Sequence, residues 1–304
     1  GAASNAYAAT LPDFVLSRLC GAAPVTHASN AVGAIDVLTG SWNRKLFDRL
    51  GFGKLLWPDI REVDETAGEI RGLGLPCYPA VGDHSCALAG VLLEKGELSL
   101  NISTGSQVSM RSETADPGDY QTTPFFDGRF LHRISNLPAG RALDALLRLL
   151  TELPRAQGFD PADPWPYISR AAAGIEETRL KANLTFFPTP LGDAGSLSNI
   201  TEENLTVGDL FRAAFTNMAE NFYTAAAHLS PGRDWTRLVF SGGLAQRLDL
   251  LRDLILEKFR CPYRVGPFAE DTLNGLLVLA LFASGRTKSV EAAMDLVRAA
   301  HPRS

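Results

Sequence analysis

The chain has 304 residues, 45% of them hydrophobic and 21% charged, with a net charge of −5. That balance describes a globular protein with one large or two ordinary cores. It offers no basic face for nucleic acid or an anionic membrane, so neither partner is expected. No apolar run approaches the roughly 18 residues of a membrane span. Cys20, Cys77, Cys86 and Cys261 are dispersed without metal-ligand spacing, and reduced thiols in a cytoplasmic location are expected.

The first residues include no Met and no basic stretch leading into an apolar one, so no signal peptide is expected. Apolar residues at Leu11, Phe14, Val15 and Leu19 predict an amphipathic helix over 10–20, closed by Gly21 and Pro24. A helix so near the first residue suggests a piece of a longer protein. Residues 25–60 are mixed, with turn signals at Thr39-Gly40-Ser41 and Trp57-Pro58. LPCYPAVGD (75–83) predicts a buried strand stopping at Gly82, and DHSCALAGVLLEKG a helix ending at Gly96. LSLNIST (98–104) is the next strand, turning at Gly105. This order predicts an α/β protein.

A polar segment (112–127) precedes a short strand around 129–134, and NLPAGRALDALLRLLTEL (136–153) predicts an amphipathic helix. LTFFPTPLGDAGSLSNI (184–200) reads as a surface crossing. Thr206 and Asp209 form a capping box that opens a long helix. Its stripe of Leu210, Phe211, Ala214, Phe215, Met218 and Phe222 reads as core. RLVFSGG (237–243) is a buried strand running into paired glycines, followed by the helices LDLLRDLILEKF and NGLLVLALFASG.

Asp83, after Gly82 and before a run of small residues, has two readings: an N-cap carboxylate, the commoner use at such a position, or a general base. His84 beside it reads as a surface or satisfied histidine. NISTGS (101–106) surrounds a glycine with hydroxyls and free amides, an anion nest, but no Gly-Lys-Ser/Thr makes it a Walker loop. Pro138-Ala139-Gly140-Arg141 and Ser241-Gly242-Gly243 each feed a helix through glycine. Any one of these is an ordinary tight turn. Three glycine turns before helix N-termini in one α/β chain point to nucleotide binding. Zinc-type Cys/His clusters, a G-x-S-x-G elbow and a G-x-G-x-x-G fingerprint are all absent from the sequence.

The order DFVLSRLCG, THASNA, a helix preceded by Trp-Asn, LPCYPAVGDHSCALAGV, LNISTGSQVSM, Ala139-Gly140-Arg141, FRAAFTNMAENF, FSGG and DTLNGLLVLALFASG resembles the FGGY carbohydrate kinases from about Pro12 to Gly285. NISTGS, LCG and PTPLGD are closest to the sedoheptulokinase branch. The resemblance implies an α/β protein with the actin-like ATPase (ribonuclease H-like) fold. Residues 1–84 would be the remainder of the first domain and residues 85–304 the complete second, nucleotide-binding domain. It implies ATP with Mg²⁺, a ketose such as sedoheptulose as acceptor, and a homodimer as candidate assembly. Asp83 falls at the family's catalytic base, with Gly82 beside it at the sugar. Ser103, Thr104, Gly105 and Ser106 match a phosphate loop, Gly140 a nucleotide-contacting loop, and Gly242 and Gly243 the adenosine turn bordered by Gln246 and Arg247.

Several positions depart from the family. Its Asp-x-Gly-Thr phosphate hairpin and its sugar-contacting Trp-x-Asp region have no counterpart, and Asp36–Ser41 is a decoy for the former. The Gly-Glu-Arg of its long loop reads Gly192-Asp193-Ala194, and its adenosine turn reads Ser-Gly-Gly-Leu-Ala. These departures keep open an alternative: a nucleotide-binding or regulatory module of the same fold without kinase chemistry.

Overall fold

The computed structural model describes residues 6–31, 33–160 and 162–301; the outermost residues of both expected domains lie outside that range. The first part holds helix α1 (Leu11–Cys20), strands β1 (Val25–Thr26), β2 (Ile35–Asp36) and β3 (Ser41–Trp42), helix α2 (Arg44–Arg49), and strands β4 (Asp59–Ile60), β5 (Gly68–Ile70) and β6 (Leu75–Cys77). A capping box of Thr10 and Asp13 opens α1, and Gly21 closes it. The extent of α1 follows its periodicity, but its orientation does not. Leu11, Phe14, Val15 and Leu19 are exposed, while Asp13 is turned inward. Thr10 and Asn30 donate to the Asp13 carboxylate, which a buried carboxylate requires.

The segment 75–83 is likewise not the buried strand expected. Only Leu75–Cys77 is strand, paired antiparallel with β5, and beyond it Ala80 makes a single parallel bridge to Thr26. Pro76 is tolerated inside this short strand, and Pro79 beyond it has no N–H to extend the ladder. The decoy at Asp36 is a turn: its Oδ1 accepts from the backbone N–H groups of Leu38 and Thr39 between β2 and β3.

The second part runs α3 (Asp83–Gly90), β7 (Glu97–Asn101), β8 (Ser106–Ser112), β9 (Gln121–Pro124), β10 (Phe130–Leu137), α4 (Gly140–Ala156), α5 (Trp165–Ala173), β11 (Lys181–Asn183), β12 (Ser196–Ser198), α6 (Val207–Leu229), β13 (Arg237–Ser241), α7 (Gly243–Arg247), α8 (Asp249–Phe259), β14 (Tyr263–Val265), α9 (Asp271–Ala283) and α10 (Val290–Ala300). Helix α3 crosses the expected domain boundary at 84/85 and stops at Gly90, short of Gly96. The hairpin of β11 and β12 replaces part of the expected surface crossing, and Leu184, Thr185 and Phe187 are buried.

Six strands form one sheet in the order β14-β13-β7-β8-β10-β9. β7 pairs antiparallel with β8, β8 with β10 and β10 with the edge strand β9, while β13 joins β7 in parallel and β14 joins β13 in parallel. Alternation along the strands gives the sheet two apolar faces. Leu98, Leu100, Leu238 and Phe240 pack with α4, α5, α6 and α8, and the expected α6 stripe is buried there. Leu131 and Val239 pack on the other face with α3, α9 and α10.

Helices α3 and α9 touch backbone to backbone. A Cβ on Gly90 would lie 1.8 Å from the Asp271 carbonyl oxygen, and one on Gly275 would lie 1.9 Å from that of Cys86. The Asn274 amide donates to the Gly90 carbonyl at 2.6 Å, which locks the crossing and so fixes where Asp83 begins. All four cysteines are free thiols. Among the described residues no helix is long and apolar enough to cross a membrane.

At the opposite end of β7, Glu97 is only 2% exposed and bonds Arg264 and Arg237 across β13 and β14. Burial pushes its carboxyl upward, but the Arg264 bonds and charge outweigh this and hold it below its ordinary value. A depressed folded value stabilises the protein above the unfolded value of 4.5, and that stabilisation is lost as pH falls through the folded one. Glu97→Gln is therefore expected to cost about 2 kcal/mol at neutral pH and to flatten the acid limb of stability. Urea unfolding at neutral pH and at about pH 3 measures both; equal stability of the two proteins at neutral pH would contradict it.

Candidate active site

β7 and β13 end side by side, with Ser241 opposite Asn101. The Asn101 amide donates to the Ser241 hydroxyl at 3.2 Å, and the Ile102 N–H donates to the Ser241 carbonyl at 2.9 Å. The chain then leaves β13 through Gly242, at φ 87°, so close to β7 that a Cβ would lie 2.5 Å from the Ile102 carbonyl oxygen. Only glycine fits there. The Leu244 N–H closes the crossing by donating to the same carbonyl at 3.1 Å.

The Ser103–Gly105 turn joins β7 to β8 as a hairpin tip, so it leads into a strand and not into a helix as its neighbours do. Its two serines hold the turn. The Ser103 N–H donates to the buried Ser106 hydroxyl at 3.2 Å, and the Ser103 hydroxyl donates to the Gly105 carbonyl at 3.0 Å. Thr104 and Gly105 are left exposed at the tip. The start of α4 brackets this turn from the other side: Gly140 donates to the Ser103 carbonyl at 3.1 Å and Arg141 to that of Thr104 at 3.0 Å. The first two amides of α4 are thus engaged by the hairpin. A Cβ on Gly140 would meet the Ser103 carbonyl at 2.9 Å and Leu244 at 3.1 Å. The three glycine turns of the sequence therefore form one contiguous backbone cluster at one end of the sheet. Gly243, Gln246 and Arg247 lie exposed on its α7 side. A Cβ built on Gly105 or Gly243 meets no protein atom within 4 Å, so both glycines border open space that a nucleotide could fill.

Asp83 is the first residue of α3. Gly82 is the N-cap, and no side chain caps the helix, so Asp83 is not the capping carboxylate. Among the described residues its Oδ1 accepts from the adjacent His84 N–H alone, at 2.6 Å, and the residue is exposed. Gly82 is seated on the THASNA segment: its N–H donates to the Ser29 hydroxyl at 3.0 Å, and a Cβ would lie 2.5 Å from the Ser29 carbonyl.

His84 anchors this helix start to β8. Its Nδ1 accepts from the Gln107 amide at 2.9 Å, which leaves Nε2–H to donate to the Ser109 hydroxyl at 2.9 Å. Burial, assisted by the Arg133 charge and opposed by Asp83, lowers its pKa to about 4, so the ring is neutral at physiological pH. It is the satisfied histidine of the sequence reading and holds the approach of α3 to the sheet.

Strand register carries a polar row across this face: Ser241, Asn101 and Gln107 stand opposite one another, and Ser109, Arg133 and Gln121 do so one step further on. The row runs from the Gly242 turn, past His84 and Asp83, to a cavity of about 540 Å³ beside Arg133. A larger cavity, about 640 Å³, lies away from these residues between α6 and α8. Ser29, Gln107, Ser109 and Arg133 were not singled out by the sequence; alternation of polar residues along β8 and β10 was the only signal for the last three. Among the described residues, no three His, Cys, Asp or Glu side chains form a metal-ligand group.

No protein-family model and no curated protein sequence matches the chain. Its structure is similar to solved kinases. Xylulose kinase from Lactobacillus acidophilus aligns with a TM-score of 0.76 at 19% identity, over 93% of this chain and 60% of that one. Gluconate kinase from the same organism aligns at 0.77 and 19%, over 94% and 60%. Plasmodium falciparum glycerol kinase with ADP aligns at 0.76 and 16%, over 95% and 60%. The chain thus spans about 60% of the length of these structures. Likeness at these identities establishes a fold: the chain has the actin-like ATPase fold of the sugar kinases, over part of their length.

Proposed function

We propose that the chain serves ATP-dependent phosphorylation of a sugar hydroxyl, with residues 85–304 as the nucleotide-binding domain and residues 1–84 as part of the domain that faces it. The observation that carries this reading is the exposed Asp83 carboxylate at the start of α3, tied through the His84–Gln107 bond to the strand that leaves the Ser103–Gly105 turn of the three-turn cluster. Asp83 takes the proton of the sugar hydroxyl as its oxygen attacks the γ-phosphorus, and the bond to the ADP leaving oxygen breaks. Gly82 leaves room for the sugar beside it. Thr104 and Gly105 receive the phosphates, while Ser103, Ser106 and Gly140 hold the turn that presents them. Gly242 and Gly243 take the adenosine, with Gln246 and Arg247 at its border. Mg²⁺ bound to the nucleotide would neutralise phosphate charge, held by the phosphate oxygens and water and not by a cluster of carboxylates among the described residues of this chain.

The resemblance of NISTGS, LCG and PTPLGD to the sedoheptulokinase branch supports a ketose acceptor such as sedoheptulose, and the four free thiols support a cytoplasmic location. ADP release coupled to a dye, measured across ketoses, polyols and sugar acids, tests the reading; acceptor-dependent release is expected. ADP binding with no release for any acceptor would instead favour the non-catalytic nucleotide module.

A further inference from the structure

β9 begins at Gln121, opposite Arg133, so residues 134–137 of β10 have no β9 partner. The cavity of about 540 Å³ occupies that edge, with Tyr120, Gln121, Ser135 and the Pro188–Pro190 segment around Arg133. Its wall is set by bonds already made. Asn136 holds a left-handed backbone at φ 61° and donates its amide to the Pro188 carbonyl at 2.6 Å. Gln121 Oε1 accepts from Arg133 Nε at 3.0 Å and from the Ser135 hydroxyl at 3.3 Å.

The Gln121 bond orients the guanidinium but uses only Nε. Among the described residues its two terminal nitrogens make no hydrogen bond or ion pair. Among the described residues Asp119, at the exposed rim, is the one carboxylate lining the cavity, and it does not pair with Arg133. Asp83 is near enough to favour the Arg133 charge, yet forms no ion pair with it, and burial works against that charge. A partly buried guanidinium with its fork unengaged is unfavourable alone and is shaped to bind an oxyanion by two parallel N–H bonds. The hydroxyls of a neutral sugar would leave that charge uncompensated.

We infer that Arg133 determines acceptor specificity: the cavity receives an anionic group, a carboxylate or a phosphate, carried by the sugar whose hydroxyl meets Asp83. This rests on the kinase reading and replaces its neutral ketose acceptor with an acidic or phosphorylated sugar.

The test is calorimetric binding to the full 304-residue chain, with and without saturating ADP, of three probes: xylulose, xylulose 5-phosphate and gluconate. At least one anionic probe is expected to bind about tenfold or more tighter than xylulose. Arg133→Met should erase that preference and Arg133→Lys keep part of it, while an unchanged ADP affinity reports an intact fold. The stronger of the two anionic probes tells phosphate from carboxylate. Equal or absent binding of all three probes by the unsubstituted chain overturns the inference, as does a preference that survives Arg133→Met. So does an equal loss for neutral and anionic sugars, which would assign Arg133 to the transferred phosphoryl group. Failure of ADP to bind counts against the kinase reading instead, because the probe series without nucleotide is decided independently.

Discussion

Asp83→Asn is expected to lower phosphoryl transfer to the sugar by about 10²–10⁴-fold while ADP affinity stays within about twofold of its original value. The substitution keeps the size and the acceptor oxygen for the His84 N–H, so the start of α3 is preserved. What it removes is the ability to take a proton. Because no side chain caps α3, no capping bond is lost, and a stability change of more than about 0.5 kcal/mol is not expected. The split between turnover and binding matters: a structural Asp83 would move both together. Turnover preserved in Asp83→Asn would remove the base from the mechanism.

The second large effect belongs to Gly242. Gly242→Ala places a Cβ 2.5 Å from the Ile102 carbonyl oxygen and 2.8 Å from its carbon, at φ 87°. Neither neighbour is the movable end of a side chain, so the turn itself must shift, at a cost of about 2–4 kcal/mol. Since Leu244 and Ile102 tie this turn to the Ser103–Gly105 hairpin, ADP affinity should fall by about tenfold or more. Gly243→Ala is the control. Its Cβ meets no protein atom within 4 Å, so thermal stability should hold, and any loss of ADP affinity reports contact with the ligand. Loss of stability in Gly243→Ala, or unaltered ADP binding in Gly242→Ala, would break the link between this turn and the nucleotide.

Much of the second part of the fold could be read directly. The α6 stripe is buried as its spacing predicts, and β7, β13, α8 and α9 lie where the apolar runs put them. These elements are long, and their periodicity reports a face that must be covered. The first part was less legible for specific reasons. The apolar positions of α1 face outward because the burial of Asp13 depends on Asn30, seventeen residues further on and invisible to periodicity. The strand expected at 75–83 stops at Cys77, ahead of Pro79, whose missing N–H outweighs the apolar character of the run.

For the site, glycine turns were readable one at a time, but their meeting was not, because it depends on the parallel pairing of β7 with β13 across more than a hundred residues. The same limit hid Ser29 and Arg133. Ser29 matters only because Gly82 folds back upon it, and Arg133 only because β8 and β10 bring it beside His84 and Asp83. Asp83 shows the opposite case: the sequence favoured a cap, and the helix start that would have needed one is filled by Gly82.

We propose that the turns at 102–106, 139–142 and 241–247 form one nucleotide site beside Asp83. Backbone amide hydrogen exchange with and without ADP tests it most directly. Exchange is expected to slow in all three segments together, most strongly at Thr104, Gly105 and Gly243, whose surroundings are open. No change in those segments, or protection confined to the cavity between α6 and α8 around Tyr223, would contradict it.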